Sequence, residues 1–340
     1  MTETTDTQPA PPAKKKRRWI KVLFYVLLLV AVALAGLFLF GPREPVNTAI
    51  RFDATTIGDD IDTYLAQSEA QFDDIEPGLQ KEVVWAYPAS KAKTPVSLVY
   101  IHGFSASRGE TDPLTALAAA DLDANVFYTR LSGHGRGGDA MAEPTVQDWM
   151  DDAAEAIAIG KRIGEKTILV TTSTGGTIAA IAAFDPALRT QIDGIVFIAP
   201  NFKLATGAAP VLTMPFARQI VPMIVGAERG FEPENELHAK FWTERYPSTA
   251  LLPMAAAVKQ ANGLLYERVD IPALFIFADG DRVVNHTRTR QIHSRWGGNK
   301  ALITVEDSTD PYNHVIAGDA LSPNTTERLA GDIAGWVERL

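Results

Sequence analysis

The sequence predicts an α/β protein: a mostly parallel sheet with helices on both faces. Three observations lead there. Short apolar runs rich in β-branched and aromatic residues recur from residue 82 onward, at 83–87, 96–101, 126–129, 168–172, 195–199, 273–277 and 303–305. Several are continuously hydrophobic rather than alternating, as strands buried on both faces must be. Helical patterns stand among them at 146–163, 174–184, 286–296 and 325–340, and 340 residues with 46% hydrophobic content suffice for one large domain of this kind.

The chain opens differently. Residues 1–18 are rich in Pro and Thr and end in five consecutive cationic residues, Lys14 to Arg18. Residues 22–40 then run for 19 positions without a charge. At about 1.5 Å per helical residue this nearly covers a hydrocarbon core of about 30 Å, whereas a cleavable signal has an apolar stretch of only about 7–15 residues. The small residues at 31–35 offer a cleavage site, but cutting there would leave Gly36-Leu-Phe-Leu-Phe40 as an apolar terminus. Residues 19–41 are therefore expected to be an uncleaved transmembrane anchor. The cationic cluster before the span, against a mixed Arg43-Glu44 after it, places residues 1–18 in the cytoplasm and the rest outside, in a periplasm or the extracellular space.

Residues 1–40 hold six Lys/Arg and two Asp/Glu, so the net −9 divides into +4 there and −13 in the body. An acidic body argues against a nucleic-acid partner, and the basic cluster reads as a topology signal rather than a nuclear-localisation patch. With no cysteine, the chain has no disulfide, no thiolate metal site and no lipidated cysteine.

Residues 42–81 form an acidic lead-in with one helix over 59–72, where Ile61, Leu65 and Phe72 recur near helical spacing. The main domain occupies 82–340. Its connection at 201–268 is too long for an ordinary crossover and is rich in Pro, Met and Phe, which suggests an inserted helical cap. Residues 211–216 and 220–225 are apolar enough either to line a tunnel over a site or to form the core of that cap.

The chemistry concentrates at the ends of the expected strands. Thr167-Ile-Leu-Val-Thr-Thr-Ser173-Thr-Gly-Gly176 is a β-branched run that stops at a serine followed by glycines. A serine on a sharp strand-to-helix turn has its Oγ lifted above the sheet and the next N–H close by; the usual pattern is G-x-S-x-G. Thr171 stands where the first glycine is usual, and a β-branched side chain crowds such a turn. A serine hydroxyl is a poor nucleophile at neutral pH and needs a histidine base, an acid to orient that base, and N–H donors for the oxyanion. His314 follows the last strand in Asp310-Pro-Tyr-Asn-His314-Val. Asp279 and Asp281 both lie in Phe275-Ile-Phe-Ala-Asp-Gly-Asp281-Arg-Val-Val, a strand running into a glycine turn. Val96-Ser-Leu-Val-Tyr-Ile-His102-Gly103-Phe104 is a buried strand entering a glycine loop, and Leu131-Ser-Gly-His-Gly135 is a second flexible turn with no phosphate-loop pattern opening a helix.

Taken together, His102-Gly-Phe, Leu131-Ser-Gly-His-Gly, Trp149, Ser173-Thr-Gly-Gly, Gly280-Asp-Arg-Val-Val and Asn313-His-Val make residues 82–340 resemble the α/β-hydrolase superfamily. The narrower likeness is to its lysophospholipase, monoacylglycerol-lipase and serine-aminopeptidase branch. That resemblance implies a triad in the chain order Ser173, Asp281, His314, with oxyanion donors at the N–H groups of Phe104 and Thr174, a helical cap, no cofactor and no metal. It favours Asp281 over Asp279, because the acid of similar proteins follows the turn glycine and precedes a hydrophobic pair. Asn201 occupies the alternative acid position of some relatives. The expected function is a membrane-anchored serine hydrolase of carboxylic esters, acting on small-molecule or lipid-like acyl substrates. An aminopeptidase or amidase is the alternative, with Glu228, Glu232, Glu234 and Glu236 available to receive an amino terminus; a hydrolase-fold binding protein without activity is the third reading.

Overall fold

The structure, a computed structural model, describes residues 2–7, 14–207 and 209–340. It divides into two compact units, residues 1–43 with 214–216, and residues 44–213 with 217–340. Residues 1 and 8–13 of the expected basic tail lie outside the described residues. In the first unit, helix α1 spans Lys14–Phe40. Its segment Arg18–Phe40 reaches a mean hydropathy of 2.9 with nothing buried, long and apolar enough to cross a membrane, a property that anchors and signal sequences share.

The second unit begins with α2 (Ile61–Glu69), β1 (Glu82–Val84), β2 (Thr94–Ile101), α3 (Leu114–Asp121) and β3 (Asn125–Tyr128). It continues through α4 (Val146–Ile163), β4 (Gly164–Thr172), α5 (Thr174–Ala182) and β5 (Gly194–Ile198). The long connection holds α6 (Ala217–Val225), β6 (Glu228–Gly230), α7 (Glu236–Phe241), β7 (Arg245–Pro247) and α8 (Leu251–Asn262), and β8 (Ala273–Phe277), α9 (His286–Arg295), β9 (Lys300–Thr304) and α10 (Pro323–Val337) close the chain.

Seven strands form one sheet in the order β1-β3-β2-β4-β5-β8-β9, parallel throughout except for β1, which pairs antiparallel with β3 at the edge. Successive side chains of a strand point to opposite faces, and the core follows that rule. Val99, Leu169, Phe197 and Phe275 pack under α4, α5, α8 and α9 with Trp149, Ile178, Ala257 and Ile292. Leu98, Val170, Val196 and Ile276 pack on the other face under α3 and α10 with Leu114, Ala118, Leu329 and Ile333. The chain moves outward from β2 to β3, then returns to place β4 on the opposite side of β2. The strand order reverses there, and in open α/β sheets the carboxyl ends of the strands at such a reversal are where ligands bind.

Two features differ from the sequence expectation. Helix α3 was not among the expected helices, because Leu114-Thr-Ala-Leu-Ala-Ala-Ala-Asp121 has no polar stripe to mark its period. The connection expected as a helical cap over 201–268 is divided: it contains an antiparallel β6–β7 pair, and α8 belongs to the core layer through Met254, Ala257, Val258 and Ala261. The acidic lead-in is bound to the domain by buried charge. Glu69 accepts two 2.8 Å hydrogen bonds from Arg130, which also donates to His134 O at 3.0 Å, and Glu155 accepts from Tyr64 Oη at 2.6 Å and pairs with Lys81. Replacing one member of a buried pair strands the other charge, so Glu69→Ala should lower unfolding free energy by about 3–5 kcal/mol in urea titrations, and the double change Glu69→Leu/Arg130→Met should recover much of it.

Candidate active site

The turn after β4 is built around one strained residue. Ser173 sits at φ 51°, ψ −114°, a conformation that non-glycine residues hold only when their surroundings over-determine it. The restraints are visible: Ser173 N–H donates to Ile198 O at 3.0 Å, and Ser173 O accepts from Gly176 N–H at 3.1 Å and Asn201 N–H at 2.9 Å. Gly175 is required by close approach, since a Cβ there would overlap Ile101 O and His102 O at the end of β2. Thr171 is fully buried and donates its hydroxyl to Val196 O on β5 at 2.9 Å. Its branched side chain is thus accommodated toward β5, while the tight contact of the turn is carried by Gly175 against β2.

Asp281 follows β8. Its Oδ1 accepts the N–H groups of Val283 at 2.8 Å and Val284 at 2.9 Å, which leaves Oδ2 directed at His314. Asp279 points elsewhere, bound to Arg290 and His286 at the surface. His314 rides on a loop after β9 that Asp310 folds back on itself: Asp310 Oδ1 accepts Tyr312 N–H at 3.1 Å, and Oδ2 accepts the N–H groups of His314 at 2.7 Å and Val315 at 2.9 Å. The three side chains meet. His314 Nδ1 lies 2.8 Å from Asp281 Oδ2, and Nε2 lies 3.0 Å from Ser173 Oγ. In this geometry Nδ1–H donates to the carboxylate and Nε2 accepts from the serine hydroxyl, the tautomer a general base needs. Burial disfavours a charged imidazole here, but the carboxylates of Asp281, Glu110 and Asp310 together hold the His314 pKa above its ordinary value.

The loop after β2 brings Gly103 against the serine: a Cβ on Gly103 would stand 3.0 Å from Ser173 Cβ. Thr174 N–H opens α5 and Phe104 N–H follows Gly103; neither donates to an acceptor among the described residues. The two glycine motifs of the sequence hold this loop in place. His102 Nδ1 meets Gly103 O at 2.8 Å and its Nε2 accepts Leu131 N–H at 3.0 Å, so one imidazole joins the loops after β2 and β3. His134 packs against His102, Phe104 and Trp149, and Trp149 donates to Ser132 O at 3.1 Å. Burial pushes the His134 pKa down to about 4 and His102 well below its usual value, so both are neutral at pH 7. The connection between β5 and β8 reaches the same place, with Thr243 N–H donating to Ser105 O at 2.7 Å and Asn235 Nδ2 to Ala320 O at 2.6 Å.

Two residues at the site escaped sequence reasoning, Asp310 and Glu110. Asp310 carried a signal, four positions ahead of His314 where a side chain can cap a turn; Glu110 carried none. A cavity of about 560 Å³ is lined by Leu79, Ala106, Arg136, Phe241, Trp242 and Arg245 among others, but not by Ser173, Asp281 or His314, nor by 211–216 or 220–225, the segments read as possible tunnel walls. Met223 and Ile224 face solvent.

A central strand delivering a strained serine, with a histidine and an aspartate at neighbouring strand ends over a mostly parallel seven-stranded sheet, defines the α/β-hydrolase fold. Residues 92–308 match the family described as serine aminopeptidase, S33, and the chain belongs to that family of hydrolases. Solved structures of the same fold include one reported with LipS and LipT, two metagenome-derived lipolytic enzymes, at 22% identity and a TM-score of 0.64, covering 78% of this chain and 100% of that one. A monoacylglycerol lipase of Paleococcus ferrophilus is 17% identical with a TM-score of 0.56, covering 76% of this chain and 98% of the other. A soluble variant of the monoglyceride lipase of Saccharomyces cerevisiae, in complex with a substrate analogue, is 11% identical with a TM-score of 0.58, covering 76% and 91%. No curated protein matches the chain.

Proposed function

We propose that the protein is a membrane-anchored serine hydrolase that cleaves carboxylic esters, with lipid-like acyl esters as its substrate class, through an acyl-Ser173 intermediate and without a cofactor. The observation that carries this reading is His314 held between Asp281 and Ser173 at 2.8 and 3.0 Å. In it, His314 takes the serine proton as Oγ attacks the ester carbonyl, Asp281 stabilises the imidazolium, and the N–H groups of Phe104 and Thr174 receive the oxyanion. The proton on Nε2 then passes to the departing alcohol, and a water activated by the same imidazole releases the acid. Lipolytic enzymes among the similar folds are in keeping with an ester substrate.

Amide cleavage is the second reading, favoured by the description of the family. It needs an acid placed to receive an amino terminus, and Glu228, Glu232, Glu234 and Glu236 are all exposed on the β6–α7 segment. This favours the ester. The long apolar helix α1, preceded by Lys14 to Arg18, supports an anchor with a cytoplasmic amino terminus and the catalytic unit outside; retention in membranes after carbonate extraction, with protease access from the outer side only, tests it. The activity is tested with a fluorophosphonate probe and with p-nitrophenyl esters against aminoacyl anilides. Capture at Ser173 and turnover of esters are expected. Turnover of anilides alone would move the assignment to a peptidase, and absence of capture in folded protein would leave a binding protein of this fold.

A further inference from the structure

The carboxyl of Glu110 is buried beside the serine and has no part in the steps above. It is 2% exposed and ends the short turn Arg108–Glu110 that follows the β2 loop. Its Oε2 accepts Gly103 N–H at 2.6 Å and Tyr100 Oη–H at 3.3 Å. Tyr100 Oη in turn accepts from Thr111 Oγ1 at 3.0 Å and lies 3.2 Å from Oγ1 of Thr172, the residue before Ser173. The other oxygen stands against Gly103: a Cβ on that glycine would meet Glu110 Oε1 at 2.5 Å and Ser173 Cβ at 3.0 Å. Gly103 is therefore enclosed between the serine and a carboxylate. Glycine is the most freely rotating residue of a chain, and a short hydrogen bond to a charged acceptor is the strongest local restraint available to its N–H.

We propose that Glu110 is a positioning residue: by binding Gly103 N–H it fixes the loop so that the next N–H along the chain, that of Phe104, faces the substrate carbonyl oxygen, and its negative charge strengthens His314 as a base. This rests on the serine-hydrolase reading. The titratable groups facing the carboxyl are Tyr100 from β2 and His314 from the loop after β9, with Asp281 and Asp310 behind the imidazole. Burial pushes the Glu110 carboxyl up to about 7 despite the opposing pull of Gly103 N–H and His314, and the ionised carboxylate raises the His314 pKa in turn. The sign follows from the charges. An ionised Glu110 raises the His314 pKa, and activity on the acidic side falls as His314 gains its proton; removing the carboxylate must move that acidic limb to lower pH.

The test uses the full chain in detergent, wild type against Glu110→Gln and Glu110→Ala, each shown to be folded by its thermal melt. Rates of p-nitrophenyl butyrate hydrolysis and of fluorophosphonate capture are followed across the acidic and neutral range. Glutamine keeps an acceptor for Gly103 N–H but no charge; alanine keeps neither. In Glu110→Ala, kcat should fall roughly 10- to 100-fold, less than the loss expected on deleting an oxyanion donor outright, with KM within about two-fold of wild type. Glu110→Gln should recover most of the rate yet show its acidic limb at lower pH than wild type, a shift that a purely structural role would not produce. If alanine prevents folding, the limb of the glutamine variant decides alone. A folded Glu110→Gln with the wild-type limb, in a protein whose wild type reacts with the probe, overturns this inference and leaves the hydrolase reading standing. A folded wild type inert to the probe overturns both.

Discussion

His314→Ala is expected to lower kcat for ester hydrolysis on the order of a million-fold, with KM little changed, because a neutral serine hydroxyl loses the base hydrogen-bonded to it. The geometry explains the size. Nε2 is 3.0 Å from Ser173 Oγ, and the imidazole is held from behind by Asp281 and from its own backbone by Asp310, so no neighbouring group among the described residues can take its place. Ser173→Ala should give a loss of the same order, and the double variant should lose no more than either single change, since the two side chains act as one unit. Single-turnover measurements with an activated ester would read both quantities. A His314→Ala protein that kept its rate within about 100-fold of wild type would mean that another base serves Ser173.

Asp281→Asn should reduce kcat about 10⁴-fold, whereas Asp279→Asn should leave it nearly unchanged. Asp281 Oδ1 is occupied by two backbone N–H groups, so the atom facing His314 Nδ1 at 2.8 Å is settled by the turn itself. An asparagine there would either present an amide N–H to Nδ1 or rotate away from its backbone donors. Either way the imidazole would lose the tautomer that leaves Nε2 free to accept. Asp279, 53% exposed in its side chain, instead meets Arg290 and His286, and its loss is a surface change. Opposite results for the two variants would transfer the acid role to Asp279.

Much of this site was legible in residue order because its parts are local. A β-branched run broken by Ser173 and two glycines states that a strand ends in a tight turn, and the stretch around His314 states that a histidine follows the last strand in a loop. Both depend on conformational preferences within a few positions. The same is true of the parallel sheet, whose strands are apolar on both faces over short windows, and of the long apolar helix near the amino terminus. Helix α3 was invisible for the converse reason. A run of Ala and Leu without a polar face has no period to read, and its burial under α10 comes from residues more than 200 positions away.

Residue order alone thus determined the class of fold and pointed to Ser173 and His314, which the fold brings to 3.0 Å of each other, because each is announced by its own neighbours. Tertiary structure decided which of two aspartates faces the imidazole, how Thr171 is tolerated, that the acidic lead-in is tied down by Glu69 and Lys81, and that Glu110 is buried against Gly103. These are choices about charge and branched volume in a dry interior. A carboxylate in sequence reads as a solvated side chain, and only the enclosure supplied by distant strands and loops turns it into a partner for a particular N–H or imidazole.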